Sequence, residues 1–292
     1  MISHLNWRLH GYNRFHFCLF ETAFRTAKPY SPSRFRTFIG HLKLKIIVCI
    51  RRVPDTATRI KIAPDNRSIE MLDVEYVINP YEEYALEQGV QLKEKHGGEV
   101  TVLTLGPEKS TPMIQKALAL GADNAIHLKS NNFPDDPSAI ARALAAELKN
   151  HQFDVLLFGK KGVDDDNHQV GEMVSELLGI PCATQVVKLE IADGKAFGTR
   201  EVEGGSITVE ISLPAAFTGE KDLTVPRYAS LRELVAARKK LITVKEPQPF
   251  PALLETVSIQ YPPPRPQGRI IGKGVEAVPE LIKVLHEEAK VI

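Results

Sequence analysis

Cysteine is scarce in this chain of 292 residues: only Cys18, Cys49 and Cys182 are present. They lie far apart and form no Cys-x-x-Cys pair, so neither a disulfide framework nor a zinc site is indicated, and a reducing compartment fits. An excess of either charge is also missing, since 37 Lys and Arg face 36 Asp and Glu for a net charge of +1. That balance gives no bulk argument for nucleic acid. The longest apolar runs have the length of strands, so no membrane insertion is expected. Acidic residues are almost absent from residues 1–43, where Glu21 stands alone against seven Lys or Arg and nine of the chain's twenty aromatics. Such a start reads either as a translation start placed too far upstream or as an organellar transit peptide. Residues 1–43 are therefore set apart as a non-core extension. The expected location is the bacterial cytoplasm, or the mitochondrial matrix in the transit-peptide case.

What remains is long enough for one or two sizeable cores, and 43% of the chain is hydrophobic. From Leu44 onward short apolar runs alternate with punctuated helical stretches, the pattern of a mostly parallel sheet with crossover helices. The runs are Leu44 to Ile50, Val100 to Leu105, Asn124 to Leu128 and Asp154 to Phe158. Asn79-Pro80-Tyr81-Glu82 places Asn at a helix N-cap, Pro at the first helical position and Glu at the third, with a stop at His96-Gly97-Gly98. Thr111-Pro112 and Asp136-Pro137 open two further helices, and Gly179 closes one that begins near Gln169. This α/β class, Rossmann-like and of the adenine-nucleotide-binding type, binds ligands at the carboxyl ends of its strands. After Cys182 the chain reads as antiparallel hairpin additions. Gly204-Gly205 marks a tight turn, and a second run extends from Ile207 to Phe217. Seven of the twenty prolines fall between Pro247 and Pro266, so residues 246–292 read as an extended arm with a last amphipathic helix near Val278 to Lys290, a strap for a partner subunit. The core domain is then 44–245.

The stretch that carries most chemistry is Gly159-Lys160-Lys161-Gly162-Val163-Asp164-Asp165-Asp166-Asn167-His168-Gln169-Val170, between a strand end and a helix start. Backbone amides at a helix N-terminus make a phosphate site, and the glycines allow close approach. It fits neither the G-x-G-x-x-G nor the Walker pattern. Taken alone, the acidic run is equally readable as a solvated loop, or loosely as a calcium ligand set short of oxygens. No nucleophile or acid–base pair stands out, so no catalytic residue is expected.

The hairpin VEGG, the LPA and PRY turns and the AARKK end, all within Glu201 to Lys240, occur in the order found in the electron transfer flavoprotein β subunit, which the chain resembles over most of residues 44–245. The resemblance implies an electron carrier subunit rather than an enzyme, paired with an α subunit that holds most of the FAD. It implies AMP on the segment Gly159 to Val170, with Cys49, Asn79, Pro80, Tyr81, Glu82 and Leu105 on the adenine and ribose side. Thr56 and Tyr81 then approach the flavin ring. His168 and Val170 stand where animal members usually have Asn and Thr. By the same resemblance Arg227, Tyr228, Leu231, Leu234 and Val235 form a docking surface for acyl-CoA dehydrogenase-type donors, with a quinone oxidoreductase as acceptor. Ser230 and Glu233 have capping-box spacing there, although Arg232 replaces the usual proline and Leu223 to Val225 depart from the usual run. Two alternatives stay open. One is an NADH-dependent, electron-bifurcating version with a second FAD in place of AMP; the other is a nucleotide-sensing α/β protein without redox work.

Overall fold

A computed structural model describes residues 43–70, 72–264 and 267–292. The expectations about a displaced start or a transit segment lie outside the described residues, Lys43 excepted. The chain forms two compact units, one of residues 60–70 and 256–292, the other of the remaining described residues up to 255.

The larger unit holds the site. Its strands are β1 (Leu44–Cys49), β2 (Arg52–Pro54), β3 (Tyr76–Ile78), β4 (Gly98–Gly106), β5 (Asn124–Lys129), β6 (Val155–Gly159), β7 (Cys182–Ala192), β8 (Lys195–Val202), β9 (Gly205–Ser212), β10 (Ala215–Gly219) and β11 (Ile242–Lys245). Its helices are α1 (Pro80–His96), α2 (Thr111–Ala119), α3 (Pro137–Leu148), α4 (Val170–Leu178) and α5 (Leu231–Ala237). Nine strands form one sheet in the order β11-β5-β4-β1-β6-β10-β7-β8-β9, and β2 pairs with β3 apart from it. The seven strands from β11 to β7 are parallel; β7-β8-β9 continue as an antiparallel meander.

Strands buried on both faces read as unbroken apolar runs, and β1 and β6 do so because helices cover each side. On one face Leu86 and Val90 of α1 and Ile114 and Leu118 of α2 pack with Ile46, Val48, Val100 and Val102. On the other, Leu144 and Leu148 of α3 and Val174 and Leu178 of α4 pack with Ile47, Leu103, Leu156 and Phe158. The helix starts fall where the prolines put them. Asp136 caps α3 by accepting from the Ser138 amide at 3.0 Å, and Gly179 closes α4 in the left-handed conformation.

Three local expectations are revised. The tight turn uses Glu203-Gly204, with Gly204 at φ 80°, while Gly205 is already the first residue of β9. The run from Ile207 to Phe217 is two strands. It breaks at the cis Leu213-Pro214 peptide, and β10 then inserts in parallel between β6 and β7. A proline just ahead of a strand removes no ladder donor from it, so a central strand can begin directly behind Pro214. Finally, the basic AARKK end has the charge that suits the C-terminus of its own helix, but Lys240 Nζ donates to the carbonyls of Leu118 (2.9 Å) and Ala122 (2.5 Å) at the end of α2.

In the smaller unit Ile62 and Ile69 form a bridge, the Ile62 amide donates to the Tyr261 hydroxyl at 2.9 Å, and the Ile259 amide donates to the Asn66 carbonyl at 2.7 Å. α6 (Val278–Glu287) follows, with Val278, Leu281 and Ile282 exposed.

Candidate functional site

Sequence order runs outward from β1 in both directions, to β4 and β5 on one side and to β6 and β10 on the other. The crevice at a reversal of this kind, at the carboxyl ends of the strands, is where open α/β sheets take ligands. Cys49, Leu105, Gly159 and Gly219 end or nearly end the four strands around it.

The start of α1 and the loop from Gly159 to Gln169 are built against each other there. A Cβ on Gly159 would come within 2.8 Å of Tyr81 Cβ and 3.0 Å of Glu82 Cγ, so only glycine lets β6 meet α1 this closely. Asn79 occupies the N-cap position but its side chain makes no cap. It is fully buried and crosses to the loop, donating from Nδ2 to the Lys161 carbonyl at 2.7 Å and accepting at Oδ1 from the Val163 amide at 3.2 Å. Burial of the Asn79 amide favours fixed partners for it, and the loop backbone supplies both, whereas a first-turn amide of a helix is often left to water or ligand.

Charges complete the clamp. Arg51, in the turn after β1, pairs with Asp164 and with Asp165, the latter at 2.9 Å. Lys160 pairs with Glu220 directly after β10, and Lys161 with Asp166 at 2.7 Å. Both lysines lie over the Tyr81 ring, at 5.2 and 5.7 Å from its centre, within cation–π range. Glu82 is buried beneath, where its carboxyl accepts from the Arg51 amide. Burial pushes Glu82 up to about 8, against the pull of Arg51. Burial also raises the Cys49 thiol and the Asp135 carboxyl. For Arg51 burial works against the charge, but its hydrogen bond to Asp164 and the surrounding carboxylates outweigh it and raise its pKa. The carboxylates of the acidic run are thus answered by Arg51 and Lys161 within the protein. The N-cap of α4, Gln169, makes no side-chain cap, so no side chain of its own occupies the helix start that a phosphate would take. These residues fit a nucleotide phosphate.

Thr56 is exposed in the turn beyond β2, and Tyr81 is half-buried within this knot. His168 and Asp166 both take positive φ, 52° and 56°, at the approach to α4. The sequence reading assigned no role to Arg51, Asp135 or Glu220. A residue one or two places beyond a parallel strand end is the available signal. It pointed to Arg51, but Glu220 was hidden because β10 was not recognised as a parallel strand.

A second surface lies at α5. The capping box forms, with Ser230 Oγ accepting from the Glu233 amide at 3.3 Å and the Ser230 amide donating to Glu233 at 2.6 Å. Tyr228 is 98% exposed, Leu231 78%, Val235 52% and Leu234 41%. Arg227 stands apart from them. Its guanidinium turns to its own unit, donating from Nε to Glu87 at 2.8 Å and from Nη1 to Glu94 at 2.7 Å, both on α1.

Known proteins decide the family. The model of the electron transfer flavoprotein domain matches residues 68–249. The chain is 35% identical over 259 residues to the "Electron transfer flavoprotein subunit beta" of Bacillus subtilis (strain 168), covering 85% of this chain and 100% of that one. The chain belongs to the electron transfer flavoprotein β-subunit family. It is also 34% identical over 257 residues to the mitochondrial β subunit of Oryza sativa subsp. indica (85% and 100% covered) and 33% over 257 residues to the β subunit of Sus scrofa (85% and 99% covered). Membership makes it an electron transfer subunit whose family implies an α-subunit partner and flavin in the complex. No described helix is long and apolar enough to cross a membrane.

Proposed function

We propose that the chain is the β subunit of a heterodimeric carrier that binds AMP on Gly159 to Val170 and helps enclose an FAD held mainly by the α subunit. The observation that carries this reading is the knot of Arg51, Asn79 and the 159–170 loop at the sheet's reversal point, which leaves the start of α4 facing the crevice. Cys49, Leu105, Tyr81 and Glu82 line the side of the crevice assigned to adenine and ribose, with Asn79 and Pro80 at the helix start. Thr56 and Tyr81 lie toward the flavin. When bound, the FAD supplies the redox chemistry, and the chain's own residues position, shield and set charge around it. Electrons pass from acyl-CoA dehydrogenase-type donors to a quinone oxidoreductase, as in fatty acid β-oxidation. Donor docking falls to Leu231, with Tyr228, Leu234 and Val235 around it, because one exposed anchor on a capped helix suits a partner groove. Residues 246–292 strap the α subunit. A reducing compartment, bacterial cytoplasm or mitochondrial matrix, accommodates the free thiols.

The test is to co-express the chain with a neighbouring α-subunit gene, extract the purified heterodimer and identify its nucleotides by mass. One FAD and one AMP are expected. Two FADs and no AMP would make this the bifurcating form, and a flavin-free chain that ignores the α subunit would sink the carrier reading.

A further inference from the structure

Three stretches of chain meet at Arg51. Its amide donates to Glu82 in the first turn of α1, its carbonyl accepts from the Asn79 amide at 3.0 Å, and its guanidinium forks onto Asp164 and Asp165. The guanidinium lies flat on Gly162, where an added Cβ would stand 2.7 Å from Arg51 Cζ. The acidic residues pass the hold on to the backbone. Asp165 takes Arg51 on one oxygen and the Asn167 amide on the other, at 3.2 Å, and Asp164 accepts from the Asp165 amide at 3.0 Å. Asn167 is directly followed by His168 and the approach to α4.

We propose that Arg51 is the positioning residue of the nucleotide loop: it draws the acidic run away from the crevice and fixes the backbone leading into α4, with Glu82 as the partner that competes for it. This rests on the reading of residues 159–170 as an AMP site. An aspartate run placed ahead of a phosphate-binding helix start repels the ligand unless it is turned aside, and a bidentate-capable guanidinium is suited to turning it. The groups around Glu82 are Arg51 and Cys49 on and after β1, Asn79 at the head of α1, and Asp164 from the loop. With Glu82 neutral, Arg51 answers the loop aspartates alone. Once Glu82 ionises, through about pH 8, it shares the Arg51 charge and adds a negative charge to the crevice.

The test uses the full-length chain purified with its α subunit and stripped of nucleotide. It measures AMP affinity by calorimetry between pH 6.5 and pH 9.5, values set roughly around the carboxyl's pKa, and hydrogen exchange over Lys161 to Val170. Arg51→Gln should weaken AMP about ten-fold or more and speed exchange in the loop, with Arg51→Lys in between. The pair Asp164→Asn and Asp165→Asn removes the same contacts from the exposed side, where folding is not at stake, and should speed the same exchange. Parent affinity should fall above about pH 8, and Glu82→Gln should flatten that fall. Unchanged loop exchange in both the Arg51→Gln and the double aspartate variants overturns the positioning role, whatever the AMP affinity. A parent affinity flat across the range overturns the part given to Glu82. A parent that binds no AMP defeats the nucleotide reading instead, and the exchange data still decide on Arg51.

Discussion

The proposed nucleotide loop and the proposed docking helix are both fastened to α1, one at its start and the other along its later turns, and they are fastened in different ways. The loop is tied along its length. Asn79 holds Lys161 and Val163, Arg51 holds Asp164 and Asp165, and Lys161 holds Asp166. α5 is tied at its two ends, by Arg227 to Glu87 and Glu94 with its own capping box at the entrance and by buried Ala237 and Lys240 at the exit, while Leu231, Leu234 and Val235 between them face outward. A ligand of fixed shape rewards a preorganised polar frame, because ordering is complete before binding. A protein partner needs an apolar anchor in the open, and polar contacts near it serve best when they hold the anchor's own backbone. The difference teaches where to look for each function on one scaffold: in satisfied buried polar groups for the ligand, and in unsatisfied apolar area for the partner.

That contrast can be broken most directly at Asn79. Asn79→Ala removes the partner of the half-buried Lys161 carbonyl and Val163 amide, and should lower stability by about 2 kcal/mol in urea unfolding. A loss no larger than a surface substitution would show that the loop is not held as described. Next is Glu82→Gln, which should stabilise. The folded carboxyl sits at about 8 against an ordinary value of 4.5, so the native state binds the extra proton and parent stability declines as pH rises from about 4.5 to about 8. The variant escapes that decline, and its advantage should grow as pH rises through about 8 and vanish near pH 4.5, read from unfolding midpoints across pH.

On the docking side the effects are smaller. Ser230→Ala removes the cap and should cost about 1 kcal/mol of helix stability, visible as faster hydrogen exchange confined to Leu231–Ala237. Leu231→Ala should change stability by no more than about 0.5 kcal/mol, since the side chain is exposed, while weakening capture of the proposed acyl-CoA dehydrogenase-type donor. A large stability loss from Leu231→Ala would place the leucine in a core and erase the contrast.

How much of this could be read in the sequence follows from the range of the forces involved. β1, β4, β5 and β6 and the starts of α1, α2 and α3 were legible because proline, glycine and apolar runs act within a few residues. The Asn79 side chain was not: local pattern favours a cap, but burial set it against loop partners more than eighty residues away. Arg227 reads as a surface contact in its Pro-Arg-Tyr turn, and only the fold shows two carboxylates of α1 waiting beneath it. The acidic run was legible as a loop at a helix start, yet its counter-charge, Arg51, lies 113 residues before Asp164 in the chain.

β10 arrives late. The ribosome makes β6, the whole 159–170 loop and the β7-β8-β9 meander before it makes β10, the strand that joins β6 to β7 and closes this side of the sheet. Until Gly219 has emerged, β6 is a bare edge and Lys160 has no Glu220 to meet. A fragment ending at α4 would carry every residue of the nucleotide loop and still present an open strand, prone to pair with another chain. The half that carries the 159–170 loop is therefore not a detachable module: its assembly is timed by a five-residue strand that the chain supplies only after the meander is complete.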